Sequence, residues 1–361
     1  MTVFTCAIGD TGGANCVAPI ARRLGERGHD VRVFINEALA RNMQNLPDFG
    51  RPFSVLDDST LDGLCIGEGG ILVATASREG NREKRLIRNA RSQGWPTVSP
   101  VENWGPFYSR FCDIENGSFT NQLAYLPDHV LVVDPFARDR AIEEGVPADN
   151  ITVAGSPHLE QVVTAGKTWS KADTARLCEQ LDIDPGKPLV LFASQALRKE
   201  MGRNSPEFPG YDEFDCLTLA CEGVAAEWPD AAFVVKLHPF ETRKEFHVPD
   251  AAERLSFRIV EDIPAWDIAR SADLVMGANT MLLMEAVVWE KLVISIQPNA
   301  IRPTDFIGTR IGALHTCTDI NGLRQTLRQR TPLSTDASTG LRRAAAGATD
   351  RITEFLERLT P

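Results

Sequence analysis

The chain has 361 residues, of which 43% are hydrophobic and 24% are charged, and its formal net charge is −11 at pH 7. A chain of this length predicts about two globular domains. The acidic balance excludes a general nucleic-acid binder, which needs a basic face to release counterions, so we expect no nucleic-acid partner. We also expect no transmembrane segment, because no apolar run approaches the roughly 20 residues that span a bilayer. The first ten residues lack a basic region and a cleavage site, so we predict a cytoplasmic protein.

The cysteines and histidines give no motif of a metal site. Eight cysteines are scattered without a Cys-x-x-Cys pair, and the six histidines form no His-Glu-x-x-His motif. Single thiols in a reducing compartment are mostly small buried side chains. We therefore predict neither a metal site nor a separate cofactor.

Strand and helix patterns alternate along the first half of the chain. The apolar run Val3–Ile8 predicts a buried parallel strand, since strands covered on both faces are apolar throughout. A turn at residues 9–13 follows, and then a helix with one apolar face over residues 17–24. Further strands are predicted at 31–35, 70–74, 96–98, 130–133 and 150–154, with a basic helix at about 82–93. These βαβ units predict a parallel sheet covered by helices.

The same alternation begins again in the second half. Strands are predicted at 189–193, 232–237, 257–260, 273–276 and 292–296, and a helix is predicted at about 214–228. We therefore predict an α/β fold of two tandem Rossmann-like, doubly wound domains with an interdomain cleft. The predicted parts are a first domain at 1–160, a linker at 161–185, a second domain at 186–335 and a C-terminal helix at 336–361.

The turn after the first strand is a candidate ligand site of the first domain. Asp10, Gly12, Gly13 and Asn15 lie between the strand and the helix, where a glycine-rich backbone can approach a ligand at a helix N-terminus. The turn is not a Gly-x-Gly-x-x-Gly motif, because Thr11 stands where the second glycine belongs, so a nicotinamide cofactor is disfavoured. A tight turn without a ligand is the alternative.

A second candidate region in the first domain follows the strand at 96–98. Glu102, Trp104 and Arg110 combine a carboxylate, an aromatic ring and a guanidinium group within nine residues. Aromatic faces next to hydrogen-bonding groups suit a sugar-like ligand. The alternative is a packed loop.

In the second domain, the strand at 232–237 runs directly into His238-Pro239. Proline stops the strand and leaves His238 at its carboxyl end, where ligands of such sheets bind. A histidine beside Lys236 can donate to phosphate oxygens and protonate a leaving group. A structural histidine is the alternative.

Two further polar sets follow strands of the same domain. Asn279 or Thr280 caps a helix whose first amides can hold a phosphate, and Glu285 could accept ribose hydroxyls. Ser194 and Gln195 follow the first strand of the domain and offer hydroxyl and amide donors. The alternative is that Asn279 is only a helix cap and Glu285 only a surface charge.

Together these segments resemble the nucleotide-sugar transferases with two Rossmann-like domains, known as the GT-B fold. His238-Pro239 resembles the HP motif of bacterial sialyltransferases, capsule-polymer transferases and CDP-glycerol glycerophosphotransferases, and residues 272–286 resemble their later motif. The resemblance implies that His238 and Thr280 contact the phosphates of the donor and that Glu285 contacts its ribose. The chain departs from the pattern because Asn279 replaces the first hydroxyl of a Ser-Ser or Ser-Thr pair. Residues 67–69 match the base motif of the sialyltransferases only in part.

The resemblance implies a metal-independent glycosyltransferase-like enzyme of surface polysaccharide or glycoconjugate biosynthesis. Residues 186–335 would bind the nucleotide-activated donor, which is a co-substrate, and residues 1–160 would bind a glycan or small-molecule acceptor. Direct displacement needs a base that deprotonates the acceptor hydroxyl, and Asp10 and Glu102 are the candidates, with Asp10 slightly favoured. A homodimer is compatible with the sequence.

Two alternatives to a transferase stay open. One is an enzyme similar to UDP-N-acetylglucosamine 2-epimerases or hydrolases, which also place a histidine and a glutamate in this crevice. The other is a protein that binds a nucleotide sugar without catalysis. The sequence does not distinguish the donor base, the sugar, the acceptor or the stereochemical outcome.

Overall fold

The computed structural model describes residues 2–41, 46–61, 64, 69–77, 82–115, 118–120, 122–205, 208–302, 304–333 and 335–360. The chain divides into two compact units. The first unit comprises residues 1–161 and 342–361, and the second comprises residues 162–341. Each unit is built on one parallel β-sheet.

The first unit contains a seven-stranded sheet in the order β3-β2-β1-β4-β5-β8-β9, in which all neighbouring strands are parallel. Its strands are β1 Val3–Ile8, β2 Asp30–Asn36, β3 Phe53–Leu56, β4 Gly70–Ala74, β5 Thr97–Pro100, β8 His129–Val132 and β9 Ile151–Val153. A separate antiparallel pair consists of β6 Ile114–Glu115 and β7 Ser118–Phe119. The helices are α1 Thr11–Glu26, α2 Glu37–Ala40, α3 Asp58–Leu61, α4 Arg82–Ser92, α5 Tyr108–Phe111, α6 Pro135–Glu143 and α16 Ala348–Arg358.

The second unit contains a six-stranded parallel sheet in the order β12-β11-β10-β13-β14-β15. Its strands are β10 Leu189–Ala193, β11 Ala232–Lys236, β12 Ser256–Val260, β13 Leu274–Gly277, β14 Leu292–Ile296 and β15 His315–Cys317. Its helices are α8 Lys171–Gln180, α9 Leu197–Glu200, α10 Glu213–Glu227, α11 Ala265–Ser271, α12 Met281–Val288, α13 Ile307–Arg310 and α14 Ile320–Gln329. The chain passes between the units within α7 Pro157–Thr168 and within α15 Thr335–Ala345.

Both sheets have the doubly wound strand order, and this confirms the predicted fold class. The order reverses between β1 and β4 in the first unit and between β10 and β13 in the second. In sheets of this kind ligands bind beyond the carboxyl ends of the strands at the point of reversal. A ligand site is therefore expected at the turns after these four strands.

Apolar strands and amphipathic helices form a separate hydrophobic core in each unit. In the first unit Phe4 and Ile71 of the sheet pack with Ile20 of α1 and with Ile352 and Leu356 of α16. In the second unit the cluster joins strand residues to α10 and α14 residues, and the rings of Phe192 and Phe233 stack with their centroids 6.4 Å apart. The seven cysteines within the described ranges are buried free thiols, and Cys65 lies outside those ranges.

Two segments differ in structure from the sequence prediction. Residues 161–185, predicted as a linker, are mostly helical, because α7 continues to residue 168 and α8 begins at a capping box in which Ser170 and Asp173 bond each other's backbone amides. Residues 336–361 form two helices rather than one, since Gly347 adopts the left-handed conformation, with φ of 64°, between α15 and α16. Within the described ranges, no helix is long and apolar enough to cross a membrane.

Candidate functional site

Polar side chains follow three neighbouring strands of the second unit. β10 is hydrogen-bonded to β11 on one side and to β13 on the other. Ser194 and Gln195 come directly after β10, His238 comes two residues after β11, and Asn279 and Thr280 follow β13. The structure therefore brings these three polar sets to one edge of the sheet, at the reversal of strand order.

A carboxylate that was not predicted from the sequence, Glu241, joins two of these sets. The Ser194 hydroxyl donates to Oε1 of Glu241 at 2.9 Å, and the His238 backbone N–H donates to Oε2 at 2.8 Å. The backbone N–H of Ser194 also donates to the Lys236 carbonyl oxygen at 3.0 Å, which fixes the two strand ends together. The only signal in the sequence is that Glu241 stands three residues after the histidine.

The His238 ring is half-buried and its protonation is directed by a backbone amide. The Phe240 N–H donates to Nδ1 of His238 at 3.3 Å, so the neutral ring carries its proton on Nε2. Burial lowers the pKa of His238. The neutral imidazole can thus donate through Nε2. The Phe240 ring lies edge-on to it with centroids 5.2 Å apart, and Phe240 is 65% exposed.

Lys236 is half-buried and its ammonium group lies at the end of β12. Its Nζ donates to the Glu261 carbonyl oxygen. Burial lowers the pKa of Lys236, while the nearby carboxylates of Asp262 and Glu261 oppose that shift. A joint action of Lys236 and His238 on one phosphate stays a prediction.

The segment after β13 begins α12 at the reversal point. The Thr280 hydroxyl accepts a hydrogen bond from the Leu282 N–H at 3.4 Å, as a helix cap does. The Asn279 N–H donates to Oε1 of Gln195 at 3.4 Å, and this contact joins the ends of β13 and β10. Oδ1 of Asn279 is buried and has no hydrogen-bond partner among the residues that the structure describes. An unpartnered buried acceptor marks a place where a donor group of a ligand would fit.

Glu285 is buried inside α12 rather than being a surface charge. It is 6% exposed, and its Oε2 accepts the Trp266 indole N–H at 2.7 Å. Trp266 in turn lies edge-on to Trp289, with centroids 5.8 Å apart. The surface-charge alternative is therefore wrong, and a ribose contact stays a prediction.

In the first unit, the turn after β1 packs tightly against the end of β4. The Asp10 carboxylate caps α1 by accepting the Gly13 N–H at 2.7 Å. The Gly9 N–H donates to the Thr75 hydroxyl at 3.0 Å. A Cβ at Gly13 would lie 2.7 Å from carbon atoms of Thr75, so the helix can start this close only at glycine.

Glu102 and Arg110 form a nearly buried ion pair next to this turn. The distance from Arg110 Nη2 to Glu102 Oε1 is 2.7 Å, and the two side chains are 7% and 10% exposed, respectively. Oε2 of Glu102 is buried without a hydrogen-bond partner in the part of the chain that the structure describes. A Cβ at Gly12 would lie 3.2 Å from Oε1 of Glu102, so the turn's backbone packs against the carboxylate.

The Asp10 carboxylate therefore influences the protonation of Glu102. Burial raises the pKa of Glu102, the Arg110 guanidinium opposes that shift, and the Asp10 carboxylate adds to it. Asp10 and Glu102, the two alternative bases predicted from the sequence, lie in one cluster with Arg110. A carboxyl group with a raised pKa is suited to proton transfer near neutral pH.

The other residues predicted for the acceptor are held by packing. The Trp104 ring is 5% exposed, and its indole N–H donates at 2.7 Å to Asp134, which caps α6. It therefore offers little surface to a sugar. The Asn15 backbone carbonyl accepts from the Gln161 side chain at 3.0 Å. Across the described ranges, no three His, Cys, Asp or Glu side chains are grouped so that they could hold a metal ion.

No protein-family model matches the chain, and no curated protein sequence matches it. Solved structures do match it. The UDP-GlcNAc 2-epimerase of Neisseria meningitidis bound to UDP-GlcNAc is 13% identical, with a TM-score of 0.68 over 99% of this chain and 100% of that chain. The glycotransferase of kitacinnamycin is 15% identical, with a TM-score of 0.62 over 100% of this chain and 99% of that chain. HepE of Anabaena in complex with UDP is 14% identical, with a TM-score of 0.58 over 99% of this chain and 100% of that chain.

At these identities the likeness concerns the fold and leaves the activity open. The parallel sheets of seven and six strands belong to an architecture common to epimerases and transferases of nucleotide sugars. The chain therefore has the GT-B-like two-domain fold that the sequence predicted, shared at low identity with UDP-GlcNAc 2-epimerases and glycosyltransferases.

Proposed function

We propose that the protein is an enzyme that takes a sugar or a polyol phosphate from a nucleotide-activated donor and transfers it to an acceptor hydroxyl. The observation that supports this proposal is that Ser194, His238 and Thr280 follow three neighbouring strands at one edge of the sheet in the second unit. Hydroxyl, imidazole and helix-start donors at a reversal of strand order are suited to phosphate groups.

These donors would act on the phosphate that departs with the nucleotide. His238 donates through Nε2, and the first amides of α12 point out of the helix N-terminus. The Ser194 hydroxyl, which donates to Glu241 in the structure, would turn to the phosphate when it binds. Thr280 uses its oxygen to accept from Leu282, so its hydroxyl hydrogen can be donated to a ligand. Fixed donors aimed at developing negative charge lower the barrier because they need no reorganisation during the reaction.

In the first unit, we propose that Glu102 rather than Asp10 takes the proton of the acceptor hydroxyl. The Asp10 carboxylate is used as a helix cap, whereas Glu102 keeps one oxygen without a hydrogen bond from any described residue. Arg110 holds the carboxylate by its other oxygen at 2.7 Å. Asp10 then acts by its charge, which makes the Glu102 carboxylate a stronger base. The acceptor in this proposal is a glycan or a small molecule of polysaccharide or glycoconjugate biosynthesis.

A nucleotide screen followed by a turnover assay tests the proposal. A ligand of the native state at 100 times its Kd raises stability by about 2.7 kcal/mol, so thermal shifts with CMP, CDP, UDP, GDP and their sugars identify the donor. The sugar nucleotide that stabilises the protein is then incubated with and without candidate acceptors. Nucleotide release that depends on an acceptor supports transfer. Stabilisation without any turnover indicates a binding protein, and no stabilisation by any nucleotide contradicts the proposal.

A UDP-GlcNAc 2-epimerase or hydrolase is the second candidate. It is favoured by the pair Asp10 and Glu102, since an enzyme that removes a proton from carbon and returns it can divide the work between two neighbouring carboxyl groups. The whole-length likeness to the Neisseria epimerase also supports it. Conversion or hydrolysis of UDP-GlcNAc without an acceptor would establish this activity and exclude simple transfer.

A further inference from the structure

Glu241 lies among the groups that the proposed function assigns to the donor phosphate. One of its oxygens accepts the Ser194 hydroxyl at 2.9 Å, and the other accepts the His238 backbone N–H at 2.8 Å. Oε1 thus occupies the Ser194 hydroxyl, which the proposed function assigns to the phosphate, and Oε2 holds the backbone of His238, whose ring is another proposed donor.

The local chain fixes the carboxylate in this position. The Glu241 N–H donates to the His238 carbonyl oxygen at 2.9 Å and closes the turn after β11. Lys199 donates to the Phe240 carbonyl oxygen at 2.9 Å and pairs with Glu245 at 2.8 Å, which ties the outer side of the turn to α9. Glu241 is therefore held by the architecture of the turn, and its charge belongs to the site.

A phosphate bound to the Ser194 hydroxyl and the His238 ring would lie close to this carboxylate, and like charges at close range repel each other. Burial raises the pKa of Glu241, the hydrogen bonds from His238 and Ser194 lower it, Glu213 raises it and Lys199 lowers it, with a net rise. Among the residues that the structure describes, Glu213 of α10 and Lys199 of α9 are the charged groups that act on the Glu241 carboxylate. Burial thus makes the neutral carboxyl less costly for Glu241 than for an exposed glutamate, and a bound phosphate would favour it further.

We propose that Glu241 sets the affinity of the second unit for phosphate, and that phosphate binding takes up one proton from solvent onto the Glu241 carboxylate. This inference rests on the proposed function and adds a specificity-determining residue to its site. Protonation removes the negative charge and turns one carboxylate oxygen into a donor. The protonated group then donates its O–H to a phosphate oxygen instead of competing with it.

Calorimetric titration of the full chain tests this inference, with UDP and inorganic pyrophosphate as probes. Each titration is done between pH 6.5 and 8.5 in two buffers of different ionisation enthalpy, so that the number of protons taken up is measured directly. Glu241→Gln imitates the neutral form at nearly the same size. Glu245→Gln is the matched control, because Glu245 lies on the same turn but is exposed and pairs with Lys199.

We expect Glu241→Gln to bind the probes at least about tenfold more tightly than wild type at pH 8.5, with close to one proton fewer taken up. Glu245→Gln should behave as wild type. Ionisation of the probe and of His238 occurs in all three proteins, so the difference between them reports Glu241. Proton uptake by wild type needs no variant and remains measurable even if a substitution impairs folding.

Two results separate failure of this inference from failure of the proposed function. If wild type binds the probes but Glu241→Gln binds equally or more weakly, with the same proton uptake, Glu241 only positions Ser194 and His238, and this inference is wrong. If neither wild type nor the variants bind UDP or pyrophosphate, the proposed phosphate site is wrong, and the inference fails with it.

Discussion

The chemistry of His238 depends on two backbone amides rather than on its place in the sequence alone. Its own backbone N–H donates to the Glu241 carboxylate, and the Phe240 backbone N–H donates to Nδ1 of its ring. These two hydrogen bonds orient the ring and select the tautomer that donates through Nε2. A histidine at a strand end becomes a defined donor only through these neighbours.

We predict that His238→Ala lowers turnover of the nucleotide sugar by about ten- to 150-fold. The reason is the loss of a hydrogen bond to a charged phosphate, which is worth about 1.5–3 kcal/mol. Stability should change by less than about 0.5 kcal/mol, since the ring is only half-buried. His247→Ala is the matched control, because His247 is exposed and lies edge-on to Phe214, with centroids 6.3 Å apart. Full activity of the His238 variant would assign the residue a structural role.

Substitution of the two carboxyl groups in the first unit distinguishes their roles. We predict that Glu102→Gln abolishes transfer and keeps donor affinity, because an amide oxygen can still accept from Arg110 but cannot take a proton. Asp10→Asn should weaken transfer less, since it removes a charge and leaves an oxygen to cap α1. Donor titration and product measurement on both variants decide the matter. The reverse order of effects would make Asp10 the base, and normal transfer by both would exclude this mechanism.

The pH profile of wild type provides a second measurement for Glu102. A base must be ionised, so kcat/KM should rise with pH through a midpoint above the ordinary glutamate value of about 4.3. Because the folded pKa is raised, the native state binds this proton more tightly than the unfolded chain does. The contribution of Glu102 to stability therefore falls as pH rises from the unfolded pKa to the folded pKa, and Glu102→Gln should remove that dependence.

At the scale of elements, the site exists because helices begin directly against neighbouring strands. α1 starts beside β4 at Gly13, and α12 starts beside β10 just after Gly277. A Cβ at Gly277 would lie 2.8 Å from the Ala193 carbonyl oxygen. This close approach brings Asn279 within reach of Gln195.

We predict that Gly277→Ala destabilises the protein by about 1–3 kcal/mol, because backbone must move to accept the added atom. Gly340→Ala is the matched control. Gly340 lies in the exposed face of α15 with no atom within 4 Å of its added Cβ. There alanine should stabilise by about 0.5–1 kcal/mol through helix propensity. Chemical denaturation of the two variants measures both effects, and equal stabilities would contradict the close approach at Gly277.

At the scale of the whole molecule, two doubly wound sheets provide two reversal points with different polar groups. The first combines Asp10, Glu102 and Arg110, and the second combines hydroxyl, amide and imidazole groups around His238. The first is suited to proton transfer and the second to an anion. The proposed division of donor and acceptor chemistry between the two units rests on this difference.

We predict that a nucleoside diphosphate protects only amides of the second unit from hydrogen exchange. Protection should concentrate at 194–197, 236–242 and 278–283, which follow β10, β11 and β13. The amides of residues 9–13 should exchange at an unchanged rate. Hydrogen-exchange mass spectrometry with and without the nucleotide measures this. Protection confined to residues 9–13 would instead favour a nucleotide site in the first unit.

Local pattern was sufficient for most of the regular structure. Continuous apolar runs predicted β1, β4, β10 and β14 at their observed bounds, because strands buried on both faces need apolar residues at every position. The short strands β3 and β15 were missed, since both are partly exposed at the edges of their sheets and carry polar residues. The α7–α8 segment was missed because its helices have no strands between them to give an alternating pattern.

The sequence by itself determined the two doubly wound sheets and the strand ends at which Ser194, His238 and Thr280 stand, because periodicity and turn residues are local properties. Only the tertiary structure decided which polar groups meet. The joining of Glu241 to Ser194 and of Glu102 to Arg110, and the burial of Glu285 against Trp266, depend on chain segments 8 to 47 residues apart. Such contacts result from strand order and helix packing, and these set the distances and the burial that govern the charge of each group.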